Sequence, residues 1–551
     1  MAGMCDRTET RGFFRHANGV ACLVACAHVM SAEAQHEVPI LRPDPQEQQH
    51  TENIPDTDYS WIRYDTIIDP RRPELGNTSL IPELVAREFG DYMTGEAWEK
   101  AEETARILVA IAKDRPASHY NLACALARRG KSDEAFASLE RAIELGWRQY
   151  EHFAHLDPDL DSLRNDPRFA ALVARLEAAI KADLIPATPL RSDPWQAVVA
   201  DLEQKTPELL ARSHVPGATV ALIRDGRTVW SGEFGVADER TDEALECGTL
   251  FRLEGPARLL AAVLALQLEE QGIWDLDDPL TRWLPEIPLA ANDDAKRVTI
   301  RSALNFTGGL VHRTPLMVSE SIDAEIAQSL SVRGDRIGSM YTYTPQSFLA
   351  VGRAVERAIE PTSATNAAES PDFEQFDGYY GQLVQSRILR PLRMTATLMR
   401  RPNGKRFNLA VGHTEYGTPY RTDFATPRKP VDPIYSTAGD IAILVESLLG
   451  TSDNDHRLLD AESIEAITTP GLPLAPLDTS GEGEHPRGFG LGTMVIDTPH
   501  GRCVEIVDLG DGCGSLVRWY PAERCGIVIL FNSDTGIDAA RRIAHLALGG
   551  I

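Results

Sequence analysis

Residues 251–284 read FRLEGPARLLAAVLALQLEEQGIWDLDDPLTRWL, and the fold turns on how this stretch is understood. Gly255 can act as an N-cap, and Pro256 suits the first helical position, where its missing N–H costs nothing. From Leu259 to Leu266 every residue is leucine, alanine or valine. That run is apolar on all faces, so it predicts a helix buried all round. Gln271-Gly272 ends the helix, and Leu276-Asp277-Asp278-Pro279 begins a turn. A buried helix with its amino end at a cleft favours negative charge there. Its first N–H groups lack partners, and its macrodipole is positive at that end.

The rest of the chain bounds what this helix can belong to. A length of 551 residues implies more than one domain. The formal charge is −26, which argues against nucleic acid as a partner, since that needs a basic surface. Arg7, Arg11 and Arg15 precede a weakly apolar stretch from Ala17 to Met30 and the triplet Ala32-Glu33-Ala34. This resembles a secretory leader, residues 1–34, and makes export to the periplasm the expectation. Asn18 and His28 weaken its apolar core, and a cytoplasmic chain with an N-terminal extension is the alternative. Leu23-Val24-Ala25-Cys26 also resembles a lipoprotein box, which would place a lipid anchor on Cys26. No later run is long enough to form a transmembrane span. Cys503, Cys513 and Cys525 cluster near the C-terminus, where either a disulfide or buried free thiols would fit.

Residues 35–80, rich in Pro, Asp, Glu and Gln, read as a linker. Residues 81–182 read as helical. Asn121-Leu122-Ala123, Gly130, Ala135, Leu139 and Ala142 fall at the spacing of a tetratricopeptide repeat, so this segment offers either a docking surface for a protein partner or a helical cap. Residues 183–194 form a second linker. Trp195 to Ala211 is amphipathic, and Gly217–Ile223, Asp225-Gly226 and Thr228–Trp230 predict a hairpin. Two strands, Leu516–Tyr520 and Gly526–Asn532, and a helix from Ile537 to Leu548 close the chain.

The opening stretch, with Asp275-Leu276-Asp277-Asp278-Pro279 and Trp283-Leu284-Pro285, resembles the active-site helix of the class C β-lactamase and penicillin-binding-protein-like serine hydrolases. The resemblance covers residues 195–551. It implies an α+β fold: a β-lactamase/transpeptidase-like domain, with an antiparallel sheet flanked by helices and an all-helical subdomain, after an N-terminal helical repeat-like domain. The family motif carries a serine nucleophile and a lysine three residues later. Gly255 and Arg258 stand at those places. Gly255 has no side chain, and a guanidinium does not act as a base. In the family's Y-x-N motif Tyr343 survives, while Pro345 replaces the asparagine. The strand motif K-T-G or H-x-G corresponds to Val507-Asp508-Leu509-Gly510, with Asp508 at the basic position. The T-x-S-G-L landmark becomes Phe306-Thr307-Gly308-Gly309-Leu310. Ser452-Asp453-Asn454 matches S-D-N only as a coincidence in a polar loop. No lysine has a serine three residues before it, and no G-x-S-x-G occurs.

The family's catalytic positions are therefore Gly255, Arg258, Tyr343 and Asp508, and Glu254, Thr307, Gly510 and Ser515 are candidates to line the cleft. Arg258 in the first helical turn opposes the dipole, which predicts an ion pair with Asp508, Glu254 or both. Two functions follow. One is a non-catalytic relative that binds a peptide or cell-wall fragment in the cleft. The other is a divergent hydrolase with a displaced nucleophile at Ser515, Thr307 or Ser436 and Tyr343 as base. No cofactor is implied, and the 14 histidines show no metal-ligand spacing.

Overall fold

In the computed structural model the described residues are 81–147, 153–154, 157–183, 193–285, 293–312, 322–367, 379–402, 407–420, 434–450, 457–477, 485–498 and 500–549. The leader, the first linker, Cys26 and Ser452-Asp453-Asn454 lie outside them, as does nearly all of the second linker. These residues divide into two units.

The larger unit runs from Asp193 to His413 and from Tyr420 onward. The predicted hairpin forms from β1 (Gly217–Arg224) and β2 (Arg227–Asp238). Asp225 and Gly226 both take positive φ, +51° and +71°, which matches the twist of a two-residue hairpin turn. β1 pairs with β13 (Cys525–Phe531), which pairs with β12 (Cys513–Tyr520), and β12 pairs with β11 (Gly501–Gly510), all antiparallel. Strands β3 (Glu243–Ala244), β8 (Leu474–Leu477), β9 (His485–Phe489) and β10 (Met494–Thr498) complete a nine-stranded sheet in the order β3-β2-β1-β13-β12-β11-β10-β9-β8. The central strands read as continuous apolar runs because both faces are covered. Ile527, Ile529 and Phe531 of β13 join one core, and Val528 and Leu530 join the other. The amphipathic helix Trp195–Arg212 and the C-terminal helix Gly536–Leu548 pack together on the first side. The active-site-like helix Gly255–Glu270 lies on the second, with the helix Ala438–Leu448.

The smaller unit holds helices α1 (Ile81–Thr94), α2 (Trp98–Ile111), α3 (Pro116–Arg128), α4 (Ser132–Glu144) and α5 (Pro167–Asp183). Ala101, Ala105, Ala123, Ala135 and Ala142 are fully buried, which brings their helices into close contact. Gly130 turns α3 into α4 at φ +69°. Glu102 of α2 is buried and meets Arg129 at 2.6 Å, Lys131 at 2.7 Å and Arg106 at 2.9 Å. Burial alone would raise its carboxyl, but these three partners outweigh it and hold it at about 2, below the usual 4.5. The turn Thr414–Pro419 clusters with this unit although its numbers fall in the range 195–551, and the Tyr416 hydroxyl accepts a 2.7 Å hydrogen bond from Asn121.

Candidate functional site

The buried helix, here α6 (Gly255–Glu270), follows the short strand β4 (Phe251–Leu253), which pairs with β7 (Ile434–Ser436). Every residue of α6 from Gly255 to Leu268 is buried, as the all-round apolar run implied. Its start differs by one position from the sequence reading: Glu254 is the N-cap and Gly255 is the first helical residue.

The amino end of α6 meets β11. Alternation along that strand puts Ile506, Asp508 and Gly510 on one face. A Cβ placed on Gly255 would lie 2.5 Å from Ile506 Cγ2, 2.7 Å from Asp508 Oδ1 and 3.1 Å from its Cγ. The space for a side chain at position 255 is filled from the opposite strand. Asp508 Oδ2 accepts a hydrogen bond from the Glu254 N–H at 2.8 Å, and the neighbouring Gly255 N–H favours the charged carboxylate. Its cross-strand partner Ser515, fully buried on β12, donates its hydroxyl to Oδ1. Burial pushes the Asp508 carboxyl above its usual range. The charge of Arg258, the Ser515 hydroxyl and the two backbone N–H groups pull it back.

Arg258 is 7% exposed, and its guanidinium lies 6.0 Å from the centre of the Tyr343 ring. Its charge pulls the Asp508 carboxyl down. The Glu254 part of the expected ion pairing is corrected. The Glu254 carboxylate pairs with Arg252 at 3.0 Å, and Arg252 also reaches Asp511 at 3.3 Å. The i, i+4 spacing suited an Arg258 contact, but it is Arg252 that reaches Glu254 at the N-cap, from β4. Gly510 makes room for this cluster: a Cβ there would lie 2.5 Å from Glu254 Oε1 and 2.7 Å from Arg252 Nη1.

Tyr343 belongs to an aromatic cluster, 4.9 Å from Phe306 and 6.4 Å from Phe489 between ring centres. Thr307 turns inward, its hydroxyl and N–H both donating to Asn305 Oδ1. Ser436 is fully buried, 2.8 Å from the Thr397 hydroxyl, which donates to Asp440. The structure thus brings Gly255, Asp508, Ser515 and Arg258 together, with Tyr343 beside Arg258, and places Glu254 and Gly510 in a neighbouring ion cluster. It leaves Thr307 and Ser436 in separate buried networks. Ile506 and Arg252 were not site candidates in the sequence. The period-two alternation through Asp508 was the signal that would have added Ile506. Cys503, Cys513 and Cys525 are buried free thiols; burial chiefly pushes the first two up to about 12 and the third to about 11.

Comparison with known proteins places this geometry. The sequence model of the family described as Beta-lactamase matches residues 201–550. The chain belongs to the β-lactamase family. It is 22% identical over 379 residues to a β-lactamase of Psychrobacter immobilis, covering 65% of this chain and 89% of that one. It is 19% identical over 341 residues to Protein flp of Staphylococcus aureus (strain COL), covering 59% of this chain and 61% of the relative. Among solved structures, the D-alanine carboxypeptidase AmpC of Burkholderia cenocepacia superposes with a TM-score of 0.51 at 18% identity, over 64% of this chain and 98% of that one. A class C β-lactamase bound to cefoxitin superposes at 0.52 with 16% identity, over 64% and 98%. These likenesses agree with the antiparallel sheet and flanking helices of the larger unit and establish the β-lactamase/transpeptidase-like fold.

Proposed function

We propose that this chain is a non-catalytic member of the β-lactamase family that acts in binding or regulation. The observation that carries this reading is the filled space at Gly255. No side chain at that position can reach a substrate while Ile506 and the Asp508 carboxylate stand 2.5 and 2.7 Å from where its Cβ would be. Serine acyl transfer needs a hydroxyl with a base beside it. Here the helix end holds a carboxylate, and the neighbour three residues on is an arginine, which stays protonated. Ser515, Thr307 and Ser436 are buried and already hydrogen-bonded, which weighs against a displaced nucleophile.

In this reading the cleft takes a peptide or cell-wall fragment without cleaving it, and the helical unit docks a protein partner. Export, with a lipid on Cys26, would put both beside the cell wall. The test uses the full-length protein with a chromogenic β-lactam, a short-chain ester and an acylating serine probe. We expect no turnover and no mass adduct, together with stabilisation of the fold by muropeptide fragments. A covalent adduct abolished by changing Ser515, Thr307 or Ser436 would establish the divergent serine hydrolase instead.

A further inference from the structure

We propose that the turn Thr414–Pro419 is a strap through which the state of the helical unit acts on the cleft end of β11. The turn is closed on itself. The Thr414 N–H donates to the Thr418 carbonyl at 2.8 Å, the Gly417 N–H donates to the Thr414 carbonyl at 2.9 Å, and the two threonine hydroxyls lie 2.6 Å apart. Its tip is seated in the helical unit. The Tyr416 ring packs on the apolar pair Val85 and Leu108 and on the larger cluster that holds Tyr120. Its hydroxyl takes the hydrogen bond from Asn121 of α3. The Arg115 guanidinium, from the start of α3, occupies the place where a Cβ of Gly417 would be. Loops normally run over the surface and move; this one has a buried ring and a side-chain hydrogen bond to hold its tip.

The root of the strap belongs to the larger unit. The His413 N–H donates to the Asn532 carbonyl at 3.1 Å and to the Gly512 carbonyl at 3.3 Å. The Tyr420 N–H donates to the Gly412 carbonyl at 2.7 Å, and the Tyr420 hydroxyl donates to Asp534 at 2.9 Å. Gly412 lies on Asp511-Gly512, the turn that joins β11 to β12. A Cβ on Gly412 would strike the Asp511 carbonyl, and a Cβ on Gly512 would strike Gly412 and His413. Backbone packed on backbone leaves no flexible side chain to absorb a shift of residue 412, so the shift passes to Asp511. Asp511 reaches Arg252 at 3.3 Å, Arg252 pairs with Glu254 at 3.0 Å, and the Glu254 N–H donates to Asp508 at 2.8 Å. The strap thus ends on the ion cluster at the start of α6. The inference goes beyond the non-catalytic reading: it concerns the order of the empty cleft and stands whatever ligand the cleft takes.

Amide hydrogen exchange of the full-length protein, read by mass spectrometry without ligand, tests it. Tyr416→Ala empties the seat of the tip, and Asn121→Leu disturbs the same seat from α3. Each is expected to speed exchange about tenfold in peptides covering 508–512 and 251–258, the effect of losing one buried contact that holds a local opening closed. Peptides covering 526–531, at the centre of the sheet, should exchange as in the wild type. Tyr416→Phe removes only the hydroxyl and should give a smaller rise in the same peptides. Faster exchange confined to the helical unit and residues 414–419 overturns the proposal. An equal rise in every peptide, 526–531 included, overturns it too, since that is general loss of stability. If Tyr416→Ala does not fold, Tyr416→Phe and Asn121→Leu decide by the same criterion.

Discussion

Position 255 holds a glycine because nothing larger fits. The two closest contacts to an added Cβ are a branched apolar side chain, Ile506, and a carboxylate held by hydrogen bonds from the Glu254 N–H and the Ser515 hydroxyl. Neither can give way without disturbing β11. Gly255→Ser is therefore expected to destabilise the fold by about 1–3 kcal/mol, the usual cost of overpacking, and to gain no acylation. Tm and intact mass after exposure to an acylating serine probe measure the two halves of that statement. Combining it with Asp508→Gly should recover most of the lost stability, since the nearest polar obstacle is then gone. Full additivity of the two losses would show that the residues do not share the space.

Elements carry two further predictions. Glu505 on β11 and Arg518 on β12 are direct cross-strand partners, 2.8 Å apart through the arginine Nε, and both are buried. Glu505→Gln should cost about 3–5 kcal/mol by leaving the guanidinium uncompensated, whereas Glu505→Leu with Arg518→Met should cost much less. Chemical denaturation of Glu505→Leu, Arg518→Met and the double variant measures the coupling. In the helical unit, Glu102 ties α2 to Arg129 and Lys131 at the α3–α4 turn. Its carboxyl is held at about 2, below the ordinary 4.5. The sign follows from that lowering. The stabilisation is complete above pH 4.5 and is lost as pH falls towards 2. Glu102→Gln should cost about 1–3 kcal/mol at pH 7 and flatten the acid limb of the helical unit's unfolding curve, read by circular dichroism between pH 2 and 7. A variant with the same acid limb as the wild type would remove Glu102 from this role.

For the whole molecule, the charge of −26 predicts weak association with polyanions. No retention on heparin and no mobility shift of duplex DNA are expected at low salt; binding that weakens steeply with added salt would reveal a basic patch that the net charge conceals. At this scale the architecture was largely legible in the chain. The all-apolar run from Leu259 to Leu266 is a buried helix, and the Asp225-Gly226 turn is a hairpin. The continuous apolar strands at the C-terminus lie at the centre of the sheet. Such features rest on local periodicity and turn chemistry, which neighbouring residues carry among themselves. The site was less legible. Glu254 looked like a partner for Arg258 from helical spacing, yet it pairs with Arg252, which precedes the helix and reaches it from β4.

The sequence by itself determined that the family's serine and lysine positions hold Gly255 and Arg258, because the identity of a residue does not depend on how the chain folds. It also determined the elements that carry them. Only the tertiary structure decided what fills the space the serine would have used. Asp508 and Ile506 lie about 250 residues from Gly255 along the chain, and they reach it because β11 passes the amino end of α6 in the assembled domain. Distances of that kind are set by packing between elements, which spacing within one element does not encode.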